Sequence, residues 1–366
     1  MTAYLHAIAT AVPEHAYRQE EIGRWMQELA DDERPRRLLR ALYRASGIAT
    51  RHSVIPGFGR DFFSRDGQGA LIEPGTGARN AIYAREARRL GRQAGAALLA
   101  ARPDFPVAGI THVVTASCTG FVNPGLDYHL VRDLDLPATT ERYHLGFMGC
   151  YAAFPALRMA DQFCRANPDA CVLVLCLELC SLHLQLSNRE DQLLANALFA
   201  DGAAAALVSA RPPTPGCPAY RLDRFATALI PAGEAAMAWS VGDRGFDIAL
   251  SSYVPRLLGA NIDAVVGDLL AAAGCGRDAI DDWAIHPGGK AILDQIERAL
   301  NLRPEHLAPS RRVLWDYGNM SSATILFVLH DLLASSAPVE KQLCGMAFGP
   351  GLTVDLALLT RLPGEG

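Results

Sequence analysis

The chain has 366 residues, half of them hydrophobic and 20% charged, which excludes a disordered polypeptide and provides for one large core or two of ordinary size. A formal net charge of −5 gives no electrostatic case for a nucleic-acid binder. The nine cysteines are odd in number and include no CxxC pair, which argues against a zinc site or a disulfide framework and suits a reducing cytoplasm.

The N-terminal run MTAYLHAIATAVPEHAY lacks a basic leader and an uninterrupted apolar stretch, so it does not read as a signal peptide. Residues 32–44, DERPRRLLRALYR, read as a basic helix whose arginines suit either a solvated face or a phosphate-bearing substrate. Residues 111–116, 171–178 and 203–209 read as continuous apolar strands of a buried sheet, with helices between them. Within this half, YHLGFMGCYAAFPALRMADQFC is strand-like, breaks at Gly149 and then turns helical. That places Cys150 at a helix N-terminus, where the macrodipole and free N–H groups are expected to lower a thiol pKa. Gly149 lets a substrate carbonyl approach the backbone. The Pro- and Gly-rich segment 210–221 reads as a connection, dividing the chain into halves 1–215 and 216–366.

In the second half, DDWAIHPGGKAIL places His286 at the end of a short apolar strand, before a Pro-Gly-Gly turn into a helix. VLWDYGNMSSATILFVLHDLL places Asn319 after Gly318 and just before another helix. Alone, Cys150 reads as packing, His286 as a core histidine and Asn319 as a cap. Three such residues at three strand-to-helix turns point instead to nucleophilic catalysis by a cysteine with distant His and Asn partners, in a pocket between two α/β units. The apolar runs are too short or too interrupted to span a bilayer, so no stable membrane insertion is expected.

The motifs GFMGCYAAF, ALFADGAAAALV, IHPGGKAIL, YGNMSSAT and AFGPGLTV resemble those of the type III polyketide synthases, the chalcone synthase-like enzymes, over nearly the whole chain. The Cys118 and Cys180 positions resemble bacterial members more than plant ones. The resemblance implies an α/β thiolase fold, with two similar halves in a five-layer αβαβα sandwich. It implies a cytoplasmic homodimeric acyltransferase that takes malonyl-CoA and an acyl-CoA starter, with no cofactor beyond its CoA thioester substrates. It makes Cys150 the acylated nucleophile, with His286 and Asn319 completing the triad, and Phe199 a pocket gate. Ser321, Gly349, Pro350 and Gly351 fall in motifs that border the family's pocket, and Arg37, Arg40 and Arg44 lie near its CoA-phosphate positions.

Departures from the plant pattern bear on the substrate. Ile248 stands where the second gating phenylalanine is expected, Trp239 where plants have glycine, and Cys118, Cys180 and His183 where plants have pocket threonines. Loss of one aromatic gate favours a flexible acyl chain, and the reading is a medium- or long-chain starter extended to an alkylpyrone or alkylresorcinol. Trp239 argues the other way, towards short starters or malonyl units alone. A ketoacyl synthase III-like condensing enzyme is the alternative of similar chemistry.

Overall fold

The computed structural model describes residues 1–363 apart from 31, 60–61, 69–70 and 336–338. Its large sheet contains nine strands. In chain order they are β1 (Ala3–Ala11), β2 (His112–Ser117), β3 (Glu141–Gly146), β4 (Cys171–Leu179), β5 (Asp201–Ser209), β6 (Ala219–Leu229), β7 (Asp282–Ile285), β8 (Lys341–Gly349) and β9 (Thr353–Leu362). Across the sheet they run β7-β8-β9-β6-β1-β5-β4-β2-β3. β2 is parallel to β3 and β4, and β7 is parallel to β8. The remaining neighbours are antiparallel. In each half the first strand is flanked by the last, then the penultimate, then the second. The halves meet where β1 pairs with β6 over a short register, Ala3↔Leu222 to Leu5↔Tyr220.

The strands read as continuous apolar runs because both of their faces are covered. On β4, Val172, Val174 and Cys176 enter one core cluster, while Leu173, Leu175 and Leu177 enter another. On β9, Ala357 and Leu359 enter the first cluster, while Val354, Leu356 and Leu358 enter a third. Period-two alternation thus feeds three separate cores. The shared central core receives Phe154 and Leu157 from helix Ala153–Ala166, and Leu326 and Val328 from helix Thr324–Ala334. One outer core is closed by helix Thr76–Ala101, through Leu90, Ala94 and Leu98. The other is closed by helices Val254–Ala273 and Lys290–Ala299, through Leu258, Ile262, Leu293 and Ile296. The stack is five layers, αβαβα. Phe154 is fully buried at its centre; truncating such a side chain to alanine costs about 3–5 kcal/mol.

A separate hairpin, Met237–Gly242 paired with Gly245–Leu250, sets Trp239 opposite Ile248. The expected basic helix is present at Glu33–Ala45. Among the described residues no helix is long and apolar enough to cross a membrane.

Candidate active site

β3 ends at Gly146, and the chain turns through Phe147 and Gly149, both at positive φ, before reaching Cys150. A Cβ on Gly149 would stand 2.4 Å from Cδ of Pro350, and φ there is +83°, so this turn requires glycine. Cys150 lies in the turn before the helix, whose first residue is Ala153, rather than on the helix itself. Gly349 also gives way to this loop: a Cβ there would stand 2.4 Å from the Tyr151 ring.

His286 follows β7 directly. Its N–H donates to Met346 O at 2.8 Å, extending the β7–β8 ladder by one residue and fixing where the ring begins. The ring is buried, and neither ring nitrogen has a hydrogen-bond partner. Burial, with no carboxylate to oppose it, pushes the imidazole pKa down to about 3.

Asn319 is pinned on both sides. Its N–H donates to Leu198 O at 3.0 Å, and its carbonyl accepts from Ala200 N–H at 2.9 Å. Its side-chain Oδ1 accepts from Ser321 N–H at 2.9 Å, which orients the amide so that Nδ2 donates to Gly288 O at 3.2 Å. One amide N–H is left over, on the residue bridging to Phe199.

Cys150, His286 and Asn319 line one cavity of about 50 Å³. Cys118, Cys180, Phe199, Trp239, Ile248, Ser321 and Pro350 also border it. His183 does not. It sits behind Trp239, stacked on Phe246 at 4.0 Å, with Nε2 on Thr119 O at 2.8 Å and Nδ1 accepting from Phe246 N–H at 3.0 Å. Gly349 and Gly351 lie beside the cavity without lining it; Gly351 takes a turn at φ +70°. Arg40 and Arg44 line a separate surface groove, and Arg37 lines neither space.

The electrostatics differ from the sequence expectation. Burial pushes the Cys150 thiol up to about 12, only partly opposed by the Ser321 hydroxyl. Apolar walls such as Met237, Leu250, Ile292 and Phe348 desolvate the thiolate, and that outweighs the turn before the helix. Burial thus favours the uncharged form of both groups in the free pocket.

Sequence reasoning missed Glu178. It is fully buried on β4 beneath Cys118, accepting from Ser322 Oγ at 2.6 Å, Cys118 N–H at 2.9 Å and Thr119 Oγ1 at 2.9 Å. Burial raises its pKa, and these donors oppose the rise. Its signal was a single charge inside the apolar run CVLVLCLEL, where an unpaired carboxylate would be costly. Through Cys118 and Ser322 it ties the first half of the chain to the turn carrying Asn319.

The family model described as chalcone and stilbene synthases, N-terminal domain, matches residues 1–212, and the corresponding C-terminal domain matches residues 221–363. The chain belongs to the chalcone and stilbene synthase family. Its relatives are type III polyketide synthases, and it is an acyltransferase-type enzyme. It is 34% identical over 253 residues to "Probable polyketide synthase 1" of Dictyostelium discoideum, covering 67% of this chain but 8% of that much longer protein. The crystal structure of PKS-I from the brown alga Ectocarpus siliculosus superposes with a TM-score of 0.88 at 28% identity, covering 99% of this chain and 98% of that one. The C-terminal type III polyketide synthase domain of Steely1, a type I/III hybrid from Dictyostelium, gives 0.88 at 28% identity, covering 99% and 100%. The five layers of this type III polyketide synthase are thus the thiolase-like fold of its family.

Proposed function

We propose that this synthase loads an acyl-CoA starter on Cys150 and extends it with malonyl-CoA by decarboxylative condensation, working in the cytoplasm as a homodimer. The observation that carries this reading is the convergence of Cys150, His286 and Asn319 on one mostly apolar cavity, with both imidazole nitrogens uncommitted.

In the first step the Cys150 proton passes to His286, and the sulfur attacks the starter's thioester carbonyl. The tetrahedral adduct collapses, and CoA leaves as the thiol with the proton held on His286. In the second step malonyl-CoA loses CO₂, and the electron pair of the broken C–C bond passes into a thioester enolate. An N–H of His286 and the remaining amide N–H of Asn319 are the donors to that enolate oxygen. The enolate carbon then attacks the Cys150 thioester and expels the thiolate, giving a β-ketoacyl-CoA two carbons longer. This chemistry calls on no metal or redox cofactor.

The cavity also supports a choice of starter. Ile248 leaves room that a phenylalanine would fill, but Trp239 stands opposite it and takes that room back. With the indole of Trp239 in its wall, the cavity favours acetyl-sized or malonyl units over a long tail. The reading favoured here is therefore a short starter or malonyl units alone, in place of the alkylpyrone or alkylresorcinol expected from Ile248, Cys118 and Cys180.

The test is product mass spectrometry with malonyl-CoA alone and with acyl-CoA starters from acetyl to palmitoyl. Extended products that require Cys150, with turnover falling as the starter lengthens, support the reading. Release of CO₂ without any extended product overturns it, and turnover only with carrier-protein thioesters returns the chain to the ketoacyl synthase alternative.

A further inference from the structure

Arg51 lies on the short strand Thr50–Ser53 and is completely buried. Its Nη1 donates to Asn196 O at 2.8 Å and to Phe199 O at 2.7 Å. Among the described residues neither Nε nor Nη2 has a hydrogen-bond partner. The guanidinium lies instead against rings, with Cζ 4.5 Å from the Phe58 centroid and 5.6 Å from that of Tyr43. Asp201 is the carboxylate whose charge reaches it, but the Asp201 oxygens accept from Val54 N–H at 2.8 Å and from Ser181 N–H and Oγ at 2.7 and 2.6 Å. A buried cation without a paired carboxylate is costly, and an apolar side chain of similar volume would serve packing as well. The two carbonyls that Arg51 does hold are therefore where its use is to be sought.

Its contacts converge on Asn319. Helix Glu190–Leu198 ends in carbonyls that have no partner within the helix, and Arg51 takes up Asn196 O and Phe199 O there. A positive charge also suits this negative end of the helix. Leu198 O, between those two carbonyls in the chain, accepts from Asn319 N–H, and Asn319 O accepts from Ala200 N–H. Phe199 and Asn319 are thereby paired as a bridge. The Arg51 stem packs on the other segment: a Cβ on Gly318 would stand 2.9 Å from Arg51 Cγ, 3.1 Å from Cδ and 3.2 Å from Leu198 O. Gly318, at φ +73°, lets the backbone run against that stem immediately before Asn319. Head and stem of one side chain thus grip the two segments whose pairing sets the Asn319 backbone.

We propose that Arg51 is a positioning residue for decarboxylative extension: it holds residues 198–200 against Gly318 and Asn319, so that the spare amide N–H of Asn319 meets the enolate oxygen. This rests on the reading of Asn319 as a donor to that enolate. Arg51 does not line the Cys150 cavity and acts only through Asn319. A misplaced Asn319 weakens the step in which charge develops on the thioester oxygen and leaves loading of Cys150 largely alone.

The test is a double-mutant cycle in the full chain, read as malonyl-CoA decarboxylation and, separately, as acylation of Cys150 by a starter followed by intact-protein mass spectrometry. Arg51→Met keeps an apolar stem and removes the grip on the two carbonyls. It should lower kcat for decarboxylation at least tenfold, with KM for malonyl-CoA and the acylation rate each within threefold of wild type. Arg51→Lys keeps a cation and a donor but not the length, and should lose at least threefold in decarboxylation, yet less than Arg51→Met. In an Asn319→Ala background Arg51→Met should cost no more than a further twofold, because the donor that it positions is gone. Melting curves identify the folded variants; should Arg51→Met fail to fold, Arg51→Lys decides by the same split and the same cycle. Additive losses in the cycle, or equal losses in the two half-reactions, overturn the positioning role and leave the enolate-donor reading standing. Decarboxylation unaffected by Asn319→Ala overturns that reading, and the positioning role with it.

Discussion

The indole N–H of Trp239 donates to the backbone carbonyl of Cys118 across 3.0 Å, tying the hairpin to the end of β2 and closing the reaction cavity from behind. Phe199 and Phe246 lie against the same ring, with centroids at 6.2 and 6.1 Å, so the indole is held in place rather than free to swing. One hydrogen bond and these aromatic contacts thus fix the indole as part of the pocket wall.

Trp239→Ala should deepen it. Each methylene that a longer starter buries is worth about 0.8 kcal/mol. Two newly accommodated methylenes would therefore raise kcat/KM for hexanoyl-CoA over butyryl-CoA roughly tenfold relative to wild type. Competition assays read by product mass spectrometry measure this. An unchanged starter profile would show that something other than Trp239 limits the cavity.

Asn319→Asp should separate the two half-reactions. The new carboxylate would face Gly288 O where Nδ2 now donates, and it supplies no donor to an enolate. Malonyl-CoA decarboxylation should fall by about 10²–10³, as for loss of one oxyanion donor. Acylation of Cys150 by a starter, followed by intact-protein mass spectrometry, should fall far less. Equal losses in both steps would contradict the proposed division of labour.

Gly149→Ala introduces a Cβ 2.4 Å from Pro350 at a backbone φ of +83°. Left-handed backbone costs an L-residue about 1–2 kcal/mol before any clash is counted. The turn must move, and Cys150 with it. A lower Tm and a loss of product formation larger than that of a surface Gly67→Ala control are expected; Gly67 has nothing within 4 Å of its added Cβ.

His183 predicts an acid-side stability slope. Burial holds its pKa at about 3, and Nδ1 must stay unprotonated to accept from Phe246 N–H. The folded state refuses a proton that the unfolded chain takes up near pH 6.5. Its stabilising contribution is therefore complete above pH 6.5 and is lost as pH falls from 6.5 towards 3, by about 1.4 kcal/mol per unit. His6 and His286 act in the same sense, whereas Asp201 and Asp355, raised to about 6, act in the opposite one. The difference between wild type and His183→Gln isolates the single group. The Tm gap between them should narrow or reverse from pH 7 to pH 4.5, and a constant gap would count against a neutral buried His183.

The sequence by itself determined the fold class and singled out Cys150, His286 and Asn319, which the fold brings to one cavity. Uninterrupted apolar strands such as CVLVLCLEL can be satisfied only by cover on both faces, which dictates helices on each side. Gly149 and Pro287 mark the breaks that follow the strands before Cys150 and His286, whereas Asn319, expected at a strand-to-helix turn, follows Gly318 at the end of helix Ala308–Tyr317 and meets Phe199 only through an isolated bridge. Only the tertiary structure decided the rest, because it depends on atoms distant in the chain. Whether Cys150 rests as thiol or thiolate is a matter of how much apolar surface surrounds it, and the walls from Met237, Ile292 and Phe348 override the local turn. His183 reads as a pocket residue because it stands where plant members have a pocket threonine, but Phe246 and Thr119 hold it behind the indole. Trp239 and Ile248 pull the starter prediction in opposite directions in the sequence. Only their cross-strand register and the hydrogen bond to the Cys118 carbonyl place the two side chains against each other at the cavity wall.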